Sequence, residues 1–126
     1  MKIEKRRYPR VDTKWPVIIN ARDDLLTGET MDISAGGAFI CCQRYIEEAA
    51  KVQLSFLDVP LLNRPLPVMA EVIRSNIHCA QNSLRPYGIG IRFITITKED
   101  QKLISSLVSD HLKAQSIDQR EEESEK

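Results

Sequence analysis

The stretch that decides the fold is ETMDISAGGAFICC, residues 29–42. Two short apolar-containing runs, 29–33 and 38–42, flank SAGG at 34–37. Adjacent glycines permit positive φ and close backbone approach, so the segment breaks there. The reading is strand, tight turn, strand.

Working outward, the same punctuation recurs. Upstream, Trp15, Val17 and Ile19 alternate with Pro16, Ile18 and Asn20, the period of a half-buried strand. ARDDLLTG, 21–28, reads as a turn with polar ends. Downstream, residues 43–50 suit one helical turn. Val52, Leu54 and Phe56 mark a strand, and 57–66, with Pro60 and Pro65, marks a loop. Val68, Ala70 and Val72 share one face of a strand over 67–77, residues 79–86 are turn-like, and Ile89, Ile91 and Phe93 alternate within 88–94. About six short strands joined by turns predict a mainly all-β, closed antiparallel barrel or sandwich. A parallel sheet needs crossover helices, for which this spacing leaves no room.

One helix follows. Leu103, Ile104, Leu107, Val108, His111 and Leu112 form one apolar stripe, suited to covering a barrel opening. Thr97 with Asp100 three residues on resembles a capping box. Apolar spacing ends after Ala114, so residues 115–126 are expected to be a disordered acidic tail. The expected organisation is a basic arm over 1–14, a barrel over 15–96, a helix over 97–114 and that tail.

The chain has 126 residues and a formal net charge of zero, which excludes bulk-basic and strongly acidic classes. The zero hides a segregation. Residues 1–14 carry six bases against two acids, and residues 95–126 carry five bases against eight acids. No apolar run is long enough to span a membrane, and MKIEKRRYPR lacks the apolar core of a secretory signal. Three cysteines in such a chain read as free thiols in a reducing cytoplasm. Cys41-Cys42 and His78-Cys79 lack metal-site spacing and read as core or surface thiols. The sequence shows no nucleophile–base pattern, and Gly88-x-Gly90 is not a dinucleotide fingerprint. The chain therefore reads as non-enzymatic.

Two elements carry binding chemistry. In RRYPR, Arg6 and Arg10 stand four apart with Arg7 between them, and Pro9 disfavours a helix. An extended arm would then gather guanidinium groups, which bind phosphate and guanine edges through paired N–H donors and stack on aromatic planes. In DISAGG, Asp32, Ser34 and Gly37 follow D-x-S-x-x-G. Strand residues two apart share a face, so Asp32 and Ser34 are expected to project together. A carboxylate accepts two hydrogen bonds from a guanine edge, a hydroxyl serves base or phosphate, and Gly37 lets the backbone bend or a ligand approach. Each element alone also suits a solvated terminus or an ordinary hairpin.

R-x-x-x-R immediately before the first strand, with D-x-S-x-x-G at the end of the second, resembles the PilZ domain family of bacterial cyclic di-GMP receptors. YGIGIRFI, residues 87–94, resembles the family's last barrel strand. The resemblance covers roughly residues 4–114. It implies a six-stranded antiparallel barrel with a C-terminal α-helix, and cyclic di-GMP as ligand with no other cofactor. It implies that Arg6 and Arg10 meet phosphate and guanine, Asp32 reads a guanine edge, and Ser34 contacts ligand polar atoms. Arg7 is an adjacent helper. Lys5, just before the first motif arginine, is compatible with a stacked ligand dimer. The expected mechanism is an arm over 4–14 that orders on ligand and remakes a surface for a downstream protein partner.

A single-stranded nucleic-acid binder built on a small barrel is the alternative. It needs a basic groove with exposed aromatics. Seven Phe, Trp and Tyr without a platform pattern, on a slightly acidic body, rank it second. A PilZ-like scaffold without ligand binding is the third reading, and the intact motifs count against it.

Overall fold

The computed structural model describes residues 9–80, 82 and 84–124, the last ten of these along the backbone only. Seven strands precede one helix. They are β1 (Val11–Asp12), β2 (Pro16–Ala21), β3 (Asp24–Ile33), β4 (Gly37–Cys42), β5 (Lys51–Phe56), β6 (Leu66–His78) and β7 (Tyr87–Thr95), followed by α1 (Lys98–Ser124). The strands are hydrogen-bonded in the order β1-β3-β2-β5-β6-β7-β4, and β3 also pairs with β4. That last pairing closes six antiparallel strands into a barrel. β1 is an extra strand on the β3 edge that β2 also occupies.

Alternation decides which side chains fill the barrel. Val17 and Ile19, Val52, Leu54 and Phe56, Val68, Ala70 and Val72, and Ile89 and Ile91 point inward and are buried. The Phe56 ring meets Trp15 and Phe93 edge-on, with centroids 6.2 Å and 6.0 Å away. Ile104 and Val108 of α1 join the same core, so the helical stripe lies over the barrel's apolar interior as its spacing predicts. His111, placed on that stripe by the sequence, is instead exposed.

Thr97 caps α1, its Oγ1 accepting from the Asp100 backbone N–H at 3.1 Å. The Asp100 carboxylate does not complete a capping box. It is buried and accepts from Arg64 at 2.9 Å, tying the β5–β6 connection to the helix.

Several expectations are corrected. Residues 21–28 are not one long turn, because β3 begins at Asp24. The chain reverses at Arg22 and Asp23, with Arg22 at a φ of 58°. Leu26 and Gly28 are inward members of β3, and a Cβ on Gly28 would lie 2.8 Å from the Cys41 carbonyl oxygen. Residues 43–50 form no helical turn; Ile46 is buried there and Ala49 has a φ of 69°.

The arm expected over 1–14 is already part of the sheet from Val11, which is buried in the core. The helix does not stop at residue 114. Its backbone stays helical to Ser124, through the stretch expected to be disordered. Gln, Glu and Arg are good helix formers, so losing the apolar stripe there does not end the helix. The cysteines are not all free: Cys41 and Cys79 form a disulfide, and Cys42 alone is a thiol. Neighbours in a strand face opposite ways, so Cys42 enters the core while Cys41 faces out. Burial raises the Cys42 thiol pKa above its ordinary range.

Candidate functional site

Register places Arg10, the last residue of the first motif, and the DISAGG turn at one end of the barrel. Val11 pairs with Ile33 and Asp12 with Asp32, so Arg10 arrives level with the turn that follows β3. This is also the end toward which β7 runs before α1 begins. A groove of about 730 Å³ opens at this end, lined by residues of both the turn and β7. Arg10, Ser34, Gly36 and Gly37 line it together with Ile91 to Ile96, Ile73 and Gln101. Arg10 is exposed. Lys5, Arg6 and Arg7, the other residues expected at the site, lie outside the described residues.

The turn holds itself together. Ser34 N–H donates to the Gly37 carbonyl at 2.8 Å. The Ser34 hydroxyl donates to the same carbonyl and accepts from Gly36 N–H, each at 3.3 Å. With the residue only 7% exposed, this hydroxyl shapes the turn. Phe93 N–H donates to the Gly36 carbonyl at 2.9 Å, stitching the turn to β7.

Gly37 is not glycine for the sake of a left-handed backbone. Its φ is not positive. A Cβ there would sit 2.1 Å from the Ile91 carbonyl oxygen, so the absent side chain is what lets β4 approach β7.

Asp32 owes its position to a bulge. Leu26, Gly28 and Thr30 point inward on β3, and simple alternation would turn Asp32 inward after them. Thr30 pairs with Ile40 but Asp32 pairs with Phe39, so Met31 is the extra residue. A bulge reverses the phase of alternation, which makes Ile33 the core residue and turns Asp32 to the outer face. Thr30 is the fully buried polar side chain beside this bulge. Its Oγ1 accepts from Trp15 N–H at 2.8 Å and bonds the Thr13 hydroxyl at 2.7 Å. Asp32 is partly buried in the ladder between β1 and β4 and does not line the groove itself. The groove thus unites Arg10, Ser34 and Gly37, with Asp32 adjoining.

Sequence reasoning missed Arg92, Ile73 and Ile94. Arg92 pairs with Gly37 across β4–β7 and carries an ion pair to Glu71. Ile73 and Ile94 leave about half of their area exposed at the groove, 49% and 43%. YGIGIRFI contains two of these three, but only the closed topology sets them opposite the turn. Among the described residues, no group of three or more His, Cys, Asp or Glu could hold a metal. A second cleft of about 690 Å³ lies at the opposite barrel end. Four of its charged residues form the Arg22–Glu47 and Arg44–Asp24 pairs, at 2.8 Å and 3.3 Å, and Glu48 and Lys51 also line it.

A closed antiparallel barrel capped by a helix, with an arginine and a polar glycine turn at one groove, defines a small helix-capped β-barrel domain. The family model for the PilZ domain matches residues 4–110. The chain belongs to the PilZ domain family.

Solved structures share the fold. The chain is similar to the Bacillus subtilis inhibitor of motility (MotI/DgrA), with a TM-score of 0.74 and 18% identity over 87% of this chain and 52% of that one. It is similar to the PilZ domain with c-di-GMP of YcgR from Escherichia coli, with a TM-score of 0.70 and 13% identity over 94% and 98%. It is also similar to the K. pneumonia MrkH–c-di-GMP complex, with a TM-score of 0.67 and 16% identity over 92% and 56%. The chain thus spans about half the length of MotI and MrkH but nearly all of the YcgR domain. No curated protein matches the chain. No helix among the described residues is long and apolar enough to cross a membrane.

Proposed function

We propose that this chain is a cyclic di-GMP receptor of the PilZ type, without catalytic activity of its own. The observation that carries the reading is the meeting of Arg10 with the Ser34–Gly37 turn at one groove of about 730 Å³. The family membership and the c-di-GMP named for YcgR and MrkH support the choice of ligand. The ligand is a dianion with two guanines. Arg6, Arg7 and Arg10 supply guanidinium donors for phosphate and guanine, and Asp32 accepts from a guanine edge. Ser34 and Gly37 act by fixing the turn that aims these groups. Lys5 extends the basic arm and favours a stacked pair of ligands.

The mechanism is closure of the arm. Ligand orders residues 4–14 against the barrel, with Val11 and Asp12, paired with β3, as the anchored end. Fixing each backbone residue costs about 1–2 kcal/mol, and each charge-assisted hydrogen bond returns about 1.5–3 kcal/mol. A few such bonds suffice to close a short arm. The closed arm presents a new surface to a downstream protein partner in the cytoplasm, with neither membrane insertion nor nucleic acid involved.

Titration calorimetry with cyclic di-GMP, GTP and a short single-stranded oligonucleotide tests the reading. Selective binding of the first, abolished in folded Arg10→Ala and Asp32→Ala chains, is the expected result. Binding of the oligonucleotide alone, or of none of the three, would overturn it.

A further inference from the structure

The Cys41–Cys79 disulfide lies outside the groove, at the end of β4 opposite Gly37, and joins residues 38 apart in sequence. Its path is set by register. Cys41 pairs with Gly88 of β7, and Gly88 pairs on its other side with Ile77 of β6. The bond therefore runs from β4 over Gly88 to the residue just past β6. It fits because Gly88 has no side chain: a Cβ there would stand 3.1 Å from Cys79 Sγ and 2.6 Å from the Phe39 ring. The disulfide thus clasps three strands. Its far anchor is the β6–β7 connection, next to a stretch of the β6–β7 ladder whose register shifts between Arg74 and Ile77.

The two cysteines are not equally reachable. Cys41 is 0% exposed and Cys79 is 8% exposed. A cleft of about 370 Å³ opens beside them, lined by Lys14, Met31, Phe39, His78 and both cysteines among others. That volume sits at the low end for small-molecule sites. It suits a tripeptide-sized molecule better than a folded protein's active site.

We propose that Cys41–Cys79 is a reversible thiol–disulfide exchange site, entered at Cys79 by a low-molecular-weight thiol occupying this cleft. The small thiolate attacks Cys79 Sγ and forms a mixed disulfide, while the Cys41–Cys79 bond breaks and Cys41 leaves as thiolate and takes up a proton. A second small thiolate attacks the small-molecule sulfur of that adduct, releasing the small disulfide and Cys79. Two electrons pass to the protein, and two small thiols become one disulfide. The reverse reaction uses the small disulfide as oxidant and restores the clasp. Cys42 takes no part, because it points into the core from the other face of β4. Reduction frees β4 from the β6–β7 connection, so that end of the barrel opens more often.

The test equilibrates the full chain, without denaturant, in glutathione and glutathione disulfide buffers of graded ratio. Acid quenching, alkylation and mass mapping then follow each cysteine. The expected result is that Cys41 and Cys79 become alkylatable together along a two-electron curve, with the glutathione adduct on Cys79. Amide exchange over 76–88 should rise in the reduced chain by at least about tenfold, while the core strands keep their protection. A bond that survives every buffer until denaturant is added would overturn the proposal. So would an adduct on Cys41, or thiols that stay unpaired in the most oxidising buffer.

Discussion

Replacing Gly37 by alanine separates two readings of the DISAGG turn. If Gly37 serves ligand approach, Gly37→Ala folds normally and binds poorly. The structure gives a different expectation. The new Cβ would lie 2.1 Å from the Ile91 carbonyl oxygen, whereas ordinary contact begins near 3.4 Å, so β4 and β7 must separate by about 1.3 Å. The obstruction is backbone, with no flexible side chain to swing away. Overpacking of this kind costs about 1–3 kcal/mol. The shift also weakens the Ser34–Gly37 turn bond and the adjoining β4–β7 ladder, at about 1 kcal/mol for each bond lost. Alanine returns about 0.4–1 kcal/mol by restricting the unfolded chain. The net loss is about 2–5 kcal/mol, against a total stability of about 5–15 kcal/mol. For a chain of this size that lowers the melting temperature by roughly 10–20 °C. Differential scanning calorimetry measures it directly. A Gly37→Ala chain melting within about 2 °C of the wild type would show that β4 and β7 do not need the glycine to approach.

Other expectations follow from particular contacts. Arg64→Ala leaves the Asp100 carboxylate buried without its ion-pair partner and should cost about 2–3 kcal/mol in urea melts, below the full value for a buried pair because Arg64 itself is half exposed. Thr97→Ala removes the hydroxyl that caps α1 and should cost about 1 kcal/mol by the same assay. Cys42 should resist alkylation in the native chain at pH values where an exposed thiol reacts. Because its folded pKa is raised, its contribution to stability is complete below the ordinary thiol pKa of 9.0 and is lost as pH rises past it, which alkaline unfolding curves will show. Gly88→Ala should displace the Phe39 ring and crowd Cys79 Sγ, lowering the melting temperature of the oxidised chain more than that of the reduced one.

Much of the barrel was legible because its strands are half-buried. Alternation at Val17 and Ile19, Val52 to Phe56, Val68 to Val72, and Ile89 and Ile91 reports the inner face directly. The start of β3 was hidden because Leu25 and Leu26 are adjacent and Gly28 adds no apolar signal, so no period of two emerges. The bulge at Met31 was hidden for a deeper reason. A bulge is a count of two residues against one on a partner strand, and β4 must be in place before the count exists. The same holds for the disulfide. Cys41 and Cys79 become neighbours only when β7 lies between their strands and presents a glycine at the crossing. At the site, the motif spacing singled out Arg10, Ser34 and Gly37 together, but it could not tell a turn-forming hydroxyl from a ligand contact. Nor could it show that the glycine answers to Ile91.

Amide chemical shifts of the full chain, followed as cyclic di-GMP is added, locate the binding site. The largest changes should fall on Arg10, on the Ser34–Gly37 turn and on Ile91 to Thr95, around the groove that the turn and β7 line. Shifts gathered instead at Arg22, Arg44 and Glu47, around the cleft at the other end of the barrel, would contradict that placement.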